Sequence, residues 1–295
     1  VTMPPTPPHD GNPFTDPHTV PALYADQVRV QRRSNALLTA KISGAHVGNM
    51  VADLLTHAAP HLTDQPTPLI TDIGCGTGRP TRAVAQRFPH ARLLAIDASP
   101  TMLDAARHHL ATSLPPGRRQ SDPHQINYLQ ADFHSLPLAA ACCDAVTAVF
   151  SLYHSPAPAR VLAEIARCLR PRDPAVLVTK SADSYHELDR LLANTGLDPA
   201  ATSHPSLYAA ADSHRLPTLA SYVLSVEAVL HDQHIFRFRD TAHLADYLVT
   251  VPKYQLPAPL NTDPAELAEQ LRQRRGDGPM TATSTITYVI ARRLP

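Results

Sequence analysis

From Thr19 to His61 apolar residues recur at helical intervals. Leu37, Leu38, Ile42, Val47, Met50, Val51, Leu54 and Leu55 follow that spacing, with a break at Ser43-Gly44. The rhythm then changes. The runs "PLITDI", "ARLLAID", "QINYLQAD", "CDAVTAVFS" and "AVLVTKS" read as five short strands. Between them lie helices that begin near Pro80, at Ser99-Pro100 and in "PAPARVLAEIARCLRP". Mostly apolar strands separated by helices predict a parallel sheet covered on both faces. Beyond Ser181 the alternation loosens. "SYHELDRLLANTG" is a helix stopped by Gly196, and residues 197–217 read as loops and short helices. Ile235, Arg237 and Arg239 alternate with Phe236 and Phe238, which predicts a strand. "TAHLADYLVT" and "PAELAEQLRQRR" are helical, and "TSTITYVIARR" closes the chain as a β-branched strand. The expected organisation is a disordered N-terminus (1–18), an N-terminal helical lid (19–62) and a core (63–295) with a helical insert at about 181–225.

Composition narrows the classes. Lysine plus arginine balance aspartate plus glutamate, 26 against 26, so no basic surplus points to nucleic acid or an anionic membrane. Cys75, Cys142, Cys143 and Cys168 fit neither a disulfide framework nor zinc-site spacing, which favours a reduced, cytoplasmic setting without a metal. No apolar run reaches a membrane span, and the N-terminus lacks the pattern of a signal peptide. Thirty prolines among many alanines, arginines and histidines suggest a GC-rich bacterial source.

Glycine is scarce, ten in 295 residues, yet Gly74, Gly76 and Gly78 fall within "LITDIGCGTGRP". A glycine turn between first strand and first helix is where such sheets bind ligands. The dinucleotide fingerprint needs Gly or Ala where Arg79 stands, and the Walker Gly-Lys-Ser/Thr is missing, so both readings weaken. Asp97 ends the second strand, where a carboxylate can accept from both ribose hydroxyls. Asp132, just past the third strand, suits an exocyclic amine, and Asp72 suits a cationic amino group. Met102 offers an apolar face to a flat base or simply packs in the core. The set suits adenosine carrying an amino-acid tail.

The order "TDIGCGTG", "LLAIDASPTMLDAAR", "YLQADFHSLPL" and "CDAVTAVFSLYH" resembles the class I S-adenosylmethionine-dependent methyltransferases over residues 69–181. The resemblance implies an α/β, Rossmann-like seven-stranded sheet of order 3-2-1-4-5-7-6, with only strand 7 antiparallel and helical lid additions. It implies S-adenosyl-L-methionine as cofactor, its methionine part against Asp72, Gly74 and Gly76, with Cys75 and Gly78 also among the cofactor-binding residues. Ribose falls to Asp97, adenine lies between Ala98 and Met102, and the adenine amine meets Asp132 beside the Phe133 amide. Phe150 and Ser151 mark the boundary with the substrate.

His154 follows the fourth strand, and a neutral imidazole there can serve as general base or merely contact substrate. Tyr153, Lys180, Tyr254 and Arg33 are further pocket candidates, Arg33 belonging to a basic cluster with Arg29 and Arg32. The lid, the insert and the loop "VPKYQLPAP" are expected to cover the site. The expected activity is methyl transfer to a small organic acceptor, in bacterial specialised metabolism, by a monomer or a homodimer. A cofactor-binding protein with other chemistry, or a regulatory module, stays open.

Overall fold

The computed structural model describes residues 11–114 and 126–295. Two helices come first, α1 (Val20–Ala25) and α2 (Gln27–Ala40), and the Asp26 carboxylate caps α2 by accepting from the Val28 and Arg29 amides. A short strand, β1 (Lys41–Ser43), leads into α3 (Val47–Ala58). The alternating region follows as β2 (Leu69–Ile73), α4 (Arg79–Arg87), β3 (Arg92–Asp97), α5 (Pro100–Ser113), β4 (Ile126–Gln130), β5 (Ala145–Val149), α6 (Pro158–Cys168) and β6 (Pro174–Lys180). The chain ends with α7 (His186–Asn194), α8 (Arg215–Ser221), β7 (Leu224–Phe238), α9 (Thr241–Leu248), α10 (Pro264–Arg275) and β8 (Met280–Arg293).

The strands form one sheet in the order β1-β7-β8-β6-β5-β2-β3-β4. β2 through β6 pair in parallel, and β8 runs antiparallel between β6 and β7. The seven-strand order implied by the resemblance is therefore present, with β8 as the inserted strand. The sheet departs from it by an eighth strand, because β1 adds antiparallel to the outer edge of β7. Asp232 receives the Ala45 amide at 2.8 Å just past β1, which ties this edge down.

Each sheet face carries its own core. On one face α3, α4 and β-strand side chains meet: Val51, Leu55, Val84 and Phe88 pack with Val176, Val178 and Ile286, all buried. On the other, Val161 and Ile165 of α6 join Leu188, Leu216, Leu244 and Leu267 of the later helices. Burying each such side chain contributes roughly 1.5–3 kcal/mol, which explains why apolar periodicity predicts these helices well. Two expected boundaries change. α3 packs into the sheet-covering layer, with its first turn (Val47, Gly48) at the cavity, so the segment through α2 forms most of the roof. The stretch expected to be disordered divides: residues 1–10 lie outside the described residues, while 11–18 form turns with Asn12 and Phe14 buried. The Asn12 side-chain amide donates to the Ser206 and Leu207 carbonyls, at 3.1 and 3.3 Å, and fastens this segment to the insert.

Candidate active site

A cavity of about 930 Å³ opens over the carboxyl ends of β2, β3, β5 and β6, under α1 and α2. At its floor the chain turns sharply after β2. The Gly74 and Cys75 amides donate to the Ile96 carbonyl at 2.8 and 2.9 Å, locking the turn to β3. Gly74 has φ +69°, and a Cβ there would meet Ser151 Cβ at 2.4 Å, so its glycine is demanded by the neighbouring strand. Gly76 differs. Its φ is +53°, and a Cβ there would meet no protein atom within 4 Å. It faces open cavity, as a cradle for a ligand does. Gly78 does not line the cavity; its Cα packs on α5. Cys75 lines the cavity, but its thiol joins the Ala95, Leu103 and Ala106 cluster, where burial drives its pKa far up.

Asp97, at the end of β3, lines the cavity. Its Oδ2 accepts the Gly76 amide and its Oδ1 the Ser99 amide, both at 2.9 Å. Burial raises its pKa, opposed by those amide bonds. Asp72 departs from its expected place. It does not line the cavity but lies buried beneath the turn, accepting from Thr81 Oγ1 at 2.5 Å and Thr147 Oγ1 at 2.9 Å. Burial lifts its pKa to about 6. Its visible work is to hold the base of the turn to α4 and β5, which puts direct contact with a ligand's amino group out of reach in this arrangement. Ala98, Met102, Asp132 and Phe133 all line the cavity. Asp132 is mostly exposed. Partial burial pushes its pKa up, but bonds from the His134 amide (2.8 Å) and ring (2.7 Å) outweigh this and hold it below the usual value. His134 also reaches Ser155 Oγ at 2.7 Å, bridging two walls.

Near the glycine turn the cavity is rimmed by His46, Arg79, Arg82 and His109. Arg82 Nε and His109 Nε2 are buried without a hydrogen-bond partner. Arg82 Nε is a buried donor that awaits an acceptor, and His109 Nε2 is a buried ring nitrogen that awaits a partner.

The other end of the cavity is built from β5, β6, β7 and the roof. Phe150 and Ser151 line it; Phe150 has φ +57°, and Ser151 Oγ donates to the Ile73 carbonyl at 2.9 Å. His154 lies here as expected, yet both ring nitrogens are engaged. Tyr24 Oη bonds its Nε2 closely, and Nδ1 faces the Ser151 carbonyl at 3.2 Å. These partners fit a neutral ring with the proton on Nδ1 and Tyr24 donating to Nε2. Phe14 and Tyr153 pack on the ring, centroids 4.5 and 4.6 Å away. Burial, then the charge of Arg33, lowers the His154 pKa to about 3. A ring so disfavoured as a cation is a weak proton acceptor, so this geometry counts against the free general base expected there.

Lys180 lines the cavity, whereas Tyr153, Tyr254 and Arg33 do not. Tyr153 is buried behind His154. Tyr254 donates to Asp189 at 2.8 Å, beside the Lys253–Asp189 ion pair, and is a structural link. Arg33 sits behind the wall, near the rings of Phe14 and Tyr24. The loop containing Lys253 contributes nothing to the lining, and the insert contributes Tyr185 alone. The sequence reading missed Tyr24, His134, Tyr185, His234 and Phe236, which line the cavity from the roof, the β4–β5 connection, the insert and the β7 edge. Among the described residues no group of three or more His, Cys, Asp or Glu could hold a metal ion.

A Rossmann-like sheet with a glycine turn after one strand and an acid at the end of the next is the architecture in which α/β folds bind nucleoside cofactors. Residues 71–176 match the family model described as a methyltransferase domain. That match, to a methyltransferase domain, spans just over a third of the chain and coincides with the parallel half of the sheet. The chain is 29% identical over 180 residues to malonyl-(acyl-carrier protein) O-methyltransferase of Laribacter hongkongensis, covering 61% of this chain and 59% of that one. It is 31% identical over 118 residues to trans-aconitate 2-methyltransferase of Azoarcus sp., covering 40% of each. The match thus spans between two fifths and three fifths of these curated relatives. Among solved structures, a methyltransferase-like protein of Bacillus halodurans shares the fold at TM-score 0.55 and 16% identity, covering 83% of this chain and 99% of that one. A 4+2 cyclase shares it at TM-score 0.50 and 17% identity, over 83% and 80%.

Proposed function

We propose that the chain transfers a methyl group from S-adenosyl-L-methionine to a small organic acceptor. The observation that carries this reading is the open space in front of Gly76, flanked by Asp97, in a cavity that continues to a separate aromatic end. The cavity volume lies near the top of the roughly 300–1,000 Å³ range of small-molecule sites, which suits a cofactor together with a small acceptor. The relative named for trans-aconitate supports a small acid as acceptor, and the one named for malonyl-(acyl-carrier protein) a small acyl group carried on a protein; both names point away from nucleic acid. The many prolines, alanines and arginines suit a GC-rich bacterial source, and four free cysteines suit a reducing cytoplasm. Among the described residues no helix is long and apolar enough to cross a membrane.

The residues fit the cofactor in kind. Gly74 and Gly76 offer bare backbone to its methionine end, and the unpartnered Arg82 Nε and His109 Nε2, with Arg79, suit a carboxylate there. Asp97 takes the ribose hydroxyls, Ala98 and Met102 flank adenine, and Asp132 accepts the adenine amine beside Phe133. When bound, S-adenosylmethionine supplies an electrophilic methyl on its sulfonium. The chain's part is to place the acceptor in line and exclude water under α1 and α2. Neutral His154 acts as a positioning residue, holding the Tyr24 hydroxyl at the cavity wall.

Incubating the protein with methyl-labelled S-adenosylmethionine and a panel of small carboxylic and phenolic acceptors tests the reading. Acceptor-dependent formation of S-adenosylhomocysteine is expected. Tight cofactor binding with no such product for any acceptor would favour non-transfer chemistry or a regulatory module, as the shared fold of a cyclase illustrates.

A further inference from the structure

The aromatic end of the cavity has one cation on its wall and a second behind it, and among the described residues neither is paired with a carboxylate. Lys180, the last residue of β6, lines the cavity, and its ammonium lies 5.2, 4.8 and 5.2 Å from the ring centroids of Phe150, Tyr185 and Tyr208. It donates to Tyr185 Oη at 3.0 Å and also bonds the Tyr208 hydroxyl, which leaves one of its three donors without a partner. Behind it, the Arg33 guanidinium lies 5.9 and 6.0 Å from the rings of Phe14 and Tyr24. The groups acting on Lys180 are the Tyr208 phenol and Arg33 itself; those acting on Arg33 are the phenols of Tyr24, Tyr247 and Tyr208. Burial keeps these phenols neutral by raising their pKa values. Among the described residues no carboxylate pairs with either cation. Asp232, the acid on the nearby β7 edge, is taken by His234 at 2.9 Å.

Enclosed charges are ordinarily paired, because losing water costs more than ring faces return. Ring faces attract a cation but leave its remaining N–H donors unfilled. A charged donor that faces a cavity, lacks an anion and stands among apolar and aromatic walls is the arrangement of a site that receives its counter-ion from a ligand. We propose that the methyl acceptor is an aromatic or apolar acid whose carboxylate docks on Lys180, between Phe150 and Tyr185. This deepens the methyl-transfer reading and rests on it for the word acceptor, but the docking site stands on its own geometry. Arg33 adds long-range attraction from behind the wall, and Phe236 and Ile286 supply apolar lining.

Benzoate and its uncharged isostere benzamide are the probes, titrated calorimetrically into the protein with and without S-adenosylhomocysteine. Benzoate is expected to bind at least about tenfold more tightly than benzamide, as loss of a buried charge pair implies. Lys180→Met should erase that preference while leaving S-adenosylhomocysteine affinity unchanged, which also reports that the variant folds. Lys180→Arg should keep the preference. Equal binding of the two probes, no benzoate binding at millimolar concentration, or a preference that survives Lys180→Met overturns the proposal. Failure of S-adenosylhomocysteine to bind the native protein contradicts the cofactor reading instead, and the cofactor-free titration still decides the docking site.

Discussion

At the glycine end of the cavity, Gly76 and Asp97 meet across 21 residues of chain, and backbone amides supply the contacts. At the aromatic end, Tyr24 and His154 meet across 130 residues, and side chains from the roof, β5, β6 and the insert supply nearly everything. A site made of backbone depends on what a residue lacks, so glycine carries it. A site made of converging side chains depends on packing, so no single position announces it. The first kind suits a ligand common to a whole family, and the second suits a ligand peculiar to one member.

Glycine substitutions break the comparison most sharply. Gly74→Ala should lower stability by on the order of 3 kcal/mol or more, since overpacking against Ser151 adds to the left-handed φ. Gly76→Ala should lower it by only about 1–2 kcal/mol, from φ alone, yet abolish tight S-adenosylhomocysteine binding by filling the cradle. Urea unfolding paired with calorimetry separates the two; equal stability losses would mean that the turn has no open side.

The two ends should also answer acid in opposite senses. Asp72, raised from 3.8 to about 6, holds its proton more tightly when folded, so it adds stability as pH falls through that window. His154, lowered from 6.5 to about 3, is protonated more readily when unfolded, so it removes stability as pH falls below the ordinary histidine value. Each is worth on the order of 3 kcal/mol between about pH 6 and 4. Asp72→Asn should therefore steepen the acid loss of melting temperature relative to native protein, and His154→Gln should flatten it. Variants that shift the melting curve uniformly with pH would show that neither group titrates as its surroundings dictate.

Much of this is legible in the sequence itself. Apolar runs separated by helices specify β2 through β6, most plainly β2, β5 and β6, which are buried on both faces, while β4 lies half-exposed at the sheet edge. Gly74, Gly76, Asp97 and Asp132 were legible because strand ends and their glycines lie close in sequence to the contacts they make. β1 was not, since "KIS" has three residues and pairs only because the β7 edge fixes it. Asp72 misled for a physical reason: the same carboxylate that suits an amino group also satisfies two buried threonine hydroxyls. Phe14 and Tyr24 give no periodic or motif signal, and Arg33 stands out only as one of a basic cluster; their meaning arises when the N-terminal segment folds across Tyr153, His154 and Tyr208.

The most direct test of the account is the calorimetric affinity of S-adenosylhomocysteine for native protein and for Asp97→Ala. Loss of the charge-assisted bonds from this carboxylate should weaken binding by roughly 1.5–3 kcal/mol, with the variant still folded. Affinity unchanged by the substitution would contradict the assignment of this cavity to the cofactor.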